Sequence, residues 1–447
     1  MRVLSITAGA AGMYCGSCAR DNALARELLS LGHDCMLVPV YTPTRTDEPN
    51  ASRPHVLFGG ISVYLQQYVP LFRRTPRFLD RLWDSPWVID RVAGRAVSND
   101  PQLLGDLTIS MLEGEESVLG KEFEKLVDWI RHQPTPDIIN LPNSLLIALA
   151  KPLRESFDRP VCCTLQGEEL FIDGLLPPYR EQALNLIRRQ ISAVDRFVAV
   201  SEYCRRFMME YLQIPEERIG VVPLGINLTG YPDSPASRND NAAFRIGYFA
   251  RVAPEKGLHV LADAYVRLRQ RIGDVSIRLE AAGYTAPAHS GYMNQVRNTL
   301  AEAGYANEFS YRGVVDRDGK LAFLQELDVL SVPATYDEPK GMFLLEAMAN
   351  GIPVVQPRRG AFTEIIEKTG GGLLVDADDA ESLAEGLWQL WKDRGQRDAI
   401  GRRAFEGVHQ HYSVRHSASQ LIELYDEVLI NWSGTGARPR AGATLSG

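Results

Sequence analysis

Short runs of apolar residues alternate along this chain with longer stretches in which apolar positions recur every three or four residues. The first kind predicts buried parallel strands and the second amphipathic helices. Residues 3–7 read as a strand, 8–17 as a glycine-rich loop, 18–31 as a helix closed by Gly32, and 35–40 as the next strand. The same grammar restarts late in the chain, with a strand at 245–250, a loop at 251–256, a helix at 257–270 and a strand at 275–281. Two restarts predict an α/β protein built from two Rossmann-like halves. The stretch 231–241 is polar, carries prolines and has no period, so it is the expected linker between halves at 1–230 and 242–412. A last helical stretch covers 413–432, and the Gly-, Ala- and Arg-rich tail 433–447 is expected to be disordered.

Composition narrows the class. A chain of 447 residues is too long for one core of ordinary size. No apolar run reaches the roughly 18 residues of a membrane span, and the apolar start is too short and too interrupted for a leader, so a cytoplasmic protein is expected. A net charge of −8 argues against general nucleic-acid binding. Six cysteines do not make a disulfide framework in a chain this long. Cys15 and Cys18 have redox or zinc spacing, but no second pair completes a metal site, and tolerance of small residues beside a ligand is the preferred reading. Residues 71–97 interleave six arginines with Phe72, Phe78, Leu82, Trp83 and Trp87. An inserted helical cover is the preferred reading there. The alternative is peripheral contact with anionic lipid at the inner membrane face, or with a phosphorylated acceptor.

Two segments carry the chemistry. Glu338 and Glu346 stand eight positions apart, one in a loop broken by Pro339 and Gly341, the other on an apolar helix ended by Gly351 and Pro353. A helix opening on such a loop presents free amides and its positive end, which suits a phosphate. Ionised carboxylates on either side suit neighbouring hydroxyl groups. Arg251 and Lys256 lie five positions apart on a loop between strand and helix, a spacing that could clamp a diphosphate.

Taken together these residues resemble the retaining glycosyltransferases of family 4, which have the GT-B fold of two Rossmann-like domains facing across a cleft. The resemblance rests on 247–251, Lys256-Gly257, Arg312-Gly313, 333–335, the segment from Glu338 to Met348, 351–355 and Glu364. It is strong over about 243–412 and weaker over the first 230 residues. It implies that Arg251 and Lys256 hold the donor diphosphate and that Glu346 accepts from the ribose. Glu338 would take the hydroxyls of the transferred sugar, beside the backbone of Lys340, Gly341, Met342 and Phe343. Val314 would meet the nucleobase through its backbone, and Gly12 and Gly16 would admit the phosphates. The helical stretch 413–432 is expected to return to the first domain.

Gln166 stands where the family often has a histidine near the transferred sugar, and it cannot act as a base at neutral pH. Lys340 and Asn227 also depart from the family's habit. The implied reaction moves a hexosyl unit from a nucleotide diphosphate sugar to an acceptor hydroxyl with retention. No cofactor or metal is expected, since no Asp-x-Asp is placed to bridge a diphosphate. A uridine donor is a guess from family habit, and the acceptor is a sugar, lipid or polysaccharide. The alternatives are a nucleotide-sugar 2-epimerase of the same fold and a non-catalytic nucleotide-sugar-binding protein. A dinucleotide-dependent oxidoreductase is disfavoured because Gly9 and Gly12 lack the full Gly-x-Gly-x-x-Gly spacing.

Overall fold

The computed structural model describes residues 1–9, 16–44, 46–53, 104–235 and 243–434. Gly12, Cys15, the 71–97 segment, most of the expected linker and nearly all of the tail lie outside those residues.

Two parallel sheets of six strands form the frame. The first contains β1 (Arg2–Thr7), β2 (Asp34–Pro39), β3 (Ile138–Leu141), β4 (Val161–Leu165), β5 (Arg196–Ala199) and β6 (Ile219–Val221), in the order β2-β1-β3-β4-β5-β6. The second contains β7 (Phe244–Phe249), β8 (Ile277–Ala282), β9 (Phe309–Tyr311), β10 (Val329–Leu330), β11 (Val354–Pro357) and β12 (Gly372–Val375), in the order β12-β11-β10-β7-β8-β9. Strands such as β4 are buried along their whole length, as a sheet covered by helices on both faces requires. The four strands read from the hydrophobic pattern, β1, β2, β7 and β8, fall within about two residues of their expected positions.

The strand order decides where chemistry can happen. In the second sheet the chain winds outward from β7 through β8 to β9, then returns to the other side of β7 with β10. β7 and β10 are therefore neighbours, with Val329 opposite Ile246 and Leu330 opposite Gly247. The loops leaving their C-terminal ends open side by side, at the switch point where such sheets bind ligands. One loop carries Arg251 and Lys256 and the other carries Glu338. In the first sheet β1 and β3 make the corresponding switch.

The last helix, Val414–Asn431, lies on the first half. Its entry is stitched by the Ile226 amide to the Tyr412 carbonyl at 2.9 Å and the Val414 amide to the Ile226 carbonyl at 2.8 Å. Val414, Ala418 and Leu421 then share an apolar cluster with Ala23, Leu24 and Leu28 of the Gly16–Ser30 helix. Among the described residues no helix is long and apolar enough to cross a membrane.

The halves touch through polar contacts as well. Ser201 Oγ donates to the Pro339 carbonyl at 2.9 Å, and Lys340 Nζ donates to Ser17 Oγ at 2.8 Å. Glu364 of the second half accepts from the Glu202 and Tyr203 amides at 3.1 and 3.0 Å. It thereby caps the first turn of the Glu202–Leu212 helix of the first half.

Candidate active site

The loop after β7 is held in place by glycine. Gly257 has φ +73°, and a Cβ there would meet the Pro333 carbonyl oxygen at 1.8 Å. Only glycine permits this approach and this backbone. The neighbouring Thr335 amide donates to the Glu255 carbonyl at 2.9 Å. Two segments about 80 residues apart are thus fastened backbone to backbone just before each presents its charged side chain.

Lys256 and Glu338 meet at that seam. Lys256 Nζ donates to Glu338 Oε2 and, at 2.7 Å, to the Tyr336 hydroxyl, which itself donates to Glu338 Oε2. The ammonium also lies 4.9 Å from the Tyr336 ring centre and 5.7 Å from that of Phe343. Glu338 is 3% exposed, so it is not a solvated loop acid. Burial opposes its charge, but Lys256, the Tyr336 hydroxyl and the more distant Lys340 outweigh that and bring its pKa down to about 2. An ammonium has three donors, and these contacts use two. The third is free to meet an incoming acceptor without dissolving the pair. Both of these bonds to the carboxylate fall on Oε2 and leave Oε1 outside them.

Arg251 sits at the rim of the same loop. Its guanidinium is half exposed and pairs with Glu255 at 2.5 Å, and its carbonyl accepts from the buried Tyr248 hydroxyl at 3.0 Å. Gly341, at φ +70°, precedes the Met342–Met348 helix, whose first amides have no preceding turn to bond. Glu346 lies just over one turn inside this short helix. Glu346 is buried and takes Lys320 Nζ at 2.8 Å. The same ammonium reaches Asp47 of the first half at 2.5 Å. Burial works against that lysine's charge, yet Glu346, Tyr231 and Asp47 hold its pKa above the ordinary value. Glu346 lines a small cavity with Met342, Arg20, Asn227 and Arg317.

The other sequence-derived positions fall as follows. An added Cβ on Gly16 would lie 3.3 Å from Met342 Sδ, so the first loop of one half meets the helix start of the other. Gln166 is buried at the end of β4, and next to it Gly167 faces Pro339 and Lys340 across the cleft. Val314 is half exposed just beyond the end of β9. Gly12 lies outside the described residues. The described cysteines, Cys18 among them, are buried. Burial pushes Cys35 up to about 12 and raises Cys162, Cys163 and Cys204 as well, so these thiols stay protonated. Sequence reasoning assigned no role to Lys320, Asp47, Tyr336 or Glu169. Tyr336 and Lys320 reach the site within the second half, through Glu338 and Glu346, whereas Asp47 and Glu169 become its neighbours only where the two halves meet.

Two family models match the chain, one on each half. Residues 112–229 match Glycosyltransferase Family 4 and residues 233–407 match Glycosyl transferases group 1. The chain belongs to the GT-B glycosyltransferases of family 4. Curated relatives of this family 4 chain include a D-inositol 3-phosphate glycosyltransferase of Corynebacterium urealyticum, 31% identical over 219 residues, covering 46% of this chain and 51% of the relative. A phosphatidyl-myo-inositol mannosyltransferase of Mycolicibacterium smegmatis is 28% identical over 269 residues, covering 59% of this chain and 62% of the relative. The match thus spans about half to three-fifths of these relatives' lengths. Among solved structures, a sucrose-phosphate synthase from Thermosynechococcus elongatus superposes with TM-score 0.69 at 17% identity, covering 96% of this chain and 99% of the other. Anabaena HepE in complex with UDP and glucose gives 0.66 at 18%, covering 95% and 99%. At these identities the structural likenesses speak to the shared GT-B fold.

Proposed function

We propose that this family 4 chain transfers a hexosyl unit from a nucleoside diphosphate sugar to an acceptor hydroxyl with retention of anomeric configuration. The observation that carries the reading is Lys256, held between Tyr336 and Glu338 with one donor to spare, at the seam where the β7 and β10 loops open together. A diphosphate laid there meets Lys256, Arg251 and the first amides of the Met342–Met348 helix. Negative charge grows on the diphosphate as the anomeric bond breaks, and fixed cations and amide dipoles stabilise that charge most where it is largest. Glu338, held ionised, accepts from hydroxyls of the departing sugar through its second oxygen. Glu346 accepts from the ribose beside Met342. The acceptor hydroxyl attacks the face the diphosphate is leaving and passes its proton to the leaving phosphate oxygen, so configuration is retained and no strong protein base is needed. Gln166 is consistent with that route. The positive charge comes from Arg251 and Lys256, and turnover should therefore survive EDTA.

We assign the acceptor side to residues 1–230 with the returning helix and the donor side to 242–412. The base is taken as uridine for a first trial. The relatives' names carry inositol phosphate and phosphatidylinositol, which makes those two the first acceptors to test. Incubation with UDP-glucose, UDP-N-acetylglucosamine, GDP-mannose and ADP-glucose in EDTA, followed by proton NMR, separates the readings. Nucleoside diphosphate release with an α-configured product from an α-linked donor supports retention. An inverted product would sink it. A donor recovered as its 2-epimer would assign the fold to epimerisation instead.

A further inference from the structure

The cleft contains an acid that the transfer reaction as described does not use. Glu169 opens the short helix that follows β4, one turn beyond Gln166, and is 8% exposed. Its Oε2 has no hydrogen-bond partner, nor has the Oε1 of Gln166, which is 3% exposed. Gln166 is not adrift: its Nε2 donates to the Pro142 carbonyl at 2.8 Å, which fixes the direction of the amide. Glu168 is also committed, accepting from the Gln166 amide at 2.8 Å and the Ser144 amide at 2.9 Å. At the end of the adjacent β3, Asn143 Oδ1 and Ser144 Oγ are likewise without partners. Buried polar atoms are nearly always satisfied. Here several unsatisfied ones gather at the C-terminal ends of two neighbouring parallel strands, the place where such sheets bind ligands.

We propose that Gln166 and Glu169 form a hydroxyl-reading pair on the first half that grips the transferred sugar. The opposite wall is the 337–341 loop, since a Cβ on Gly167 would lie 3.0 Å from Pro339 Cγ and 3.8 Å from Lys340 Cε. Glu338, which holds sugar hydroxyls in the proposed reaction, stands on that loop. Gln166 Oε1 accepts a hydroxyl proton, and the Glu169 carboxylic acid donates to a hydroxyl oxygen. Glu169 is able to donate because burial, with Glu168 beside it, pushes its pKa up to about 8. The groups facing it are Glu168 on its own turn, Lys340, Glu338 and Tyr336 on the opposite loop, and Tyr203, Cys204 and Tyr211 on the Glu202–Leu212 helix. Lys340 is the cation among them. It also bonds Ser17, and the carboxylates and burial prevail over it. A neutral acid and a tethered amide suit a polyol, not an anionic substituent.

This assignment rests on the transferase reading, and its test is arranged so that the two can fail separately. Donor hydrolysis would be followed as nucleoside diphosphate release from the four nucleotide sugars named above, across pH 6 to 9.5, for the full chain and for Glu169→Gln and Glu169→Leu. Melting shifts with UDP and UDP-glucose would be recorded in parallel. The pair predicts that wild-type turnover falls as the pH rises through about 8. Glu169→Gln, which keeps a donor, should stay active and lose that alkaline fall. Glu169→Leu should lose roughly 10- to 100-fold, the scale of an unpaired buried polar group, and keep its UDP shift while losing the extra shift given by the sugar. Turnover that instead rises through pH 8 and vanishes in Glu169→Gln would make Glu169 a base and overturn the pair. Normal turnover in Glu169→Leu would overturn it too. If no nucleotide or nucleotide sugar shifts the wild type, both the pair and the transferase reading fall.

Discussion

Removing the Lys256 ammonium while leaving its volume, in Lys256→Met, should cost the second half several kcal/mol at neutral pH. Glu338 is 3% exposed, and its carboxylate stays charged only because Lys256 and Tyr336 hold it. Lowering its pKa from 4.5 to about 2 corresponds to about 3 kcal/mol of preference for the charged form. Because the folded value lies below the ordinary one, this contribution is complete above pH 4.5 and is lost as the pH falls through about 2. Without the lysine, only the Tyr336 hydroxyl and the more distant Lys340 oppose burial, and stranding one member of a buried pair costs about 3–5 kcal/mol. For a domain of this size that is roughly 10 °C in melting temperature. The cost should shrink near pH 4.5, where the stranded carboxylate takes up a proton. Lys256→Met/Glu338→Gln, which removes both charges, should regain at least half of the loss. Circular-dichroism melts of Lys256→Met, Glu338→Gln and the double variant at pH 7 and pH 4.5 test this. A single variant melting within about 2 °C of wild type, or a double variant losing the sum of the two singles, would refute the buried-pair account.

Three further outcomes are expected. Gly257→Ala should lower the melting temperature by more than 5 °C, because its Cβ would collide with the Pro333 carbonyl at φ +73°. Gly32→Ala, at φ +84° with nothing within 4 Å, should cost only about 1 kcal/mol, and equal losses in the two variants would discount the collision. Lys320→Met should weaken nucleoside diphosphate binding about tenfold by calorimetry, since Glu346 and Asp47 lose their shared cation; an unchanged affinity would move Glu346 off the nucleotide. Glu364→Ala should remove about 1 kcal/mol of cross-cleft capping and speed limited proteolysis at the contact between the halves, while an unaltered digestion rate would make the cap incidental.

The α/β class and the two repeated halves were legible because local periodicity and loop glycines carry them. β1 and β7 each stand within two residues of their expected positions, since a buried parallel strand is a short apolar run in any context. The Glu338–Glu346 segment and the Arg251–Lys256 loop were legible as chemistry because charge on a glycine-broken loop is unusual beside an apolar helix. What could not be read was who pairs with whom. Lys320 looks like any lysine of an amphipathic helix until the crossing of the halves sets Asp47 against it. Glu169 sits beside Glu168 in the sequence, yet one is committed to two backbone amides and the other is left without a partner. That division depends on how β3 ends, about 25 residues away in sequence, and no local pattern encodes it.

Whether Arg251 and Lys256 clamp a nucleoside diphosphate is tested most directly by calorimetric titration of UDP, GDP, ADP and NAD⁺ in EDTA, with Arg251→Ala alongside. Arg251 is half exposed and paired with Glu255, so the variant removes a ligand contact without stranding a buried charge. The account predicts that one nucleoside diphosphate binds without metal and that the variant binds it at least tenfold more weakly. No binding by any of the three diphosphates, or binding of NAD⁺ alone, would contradict it.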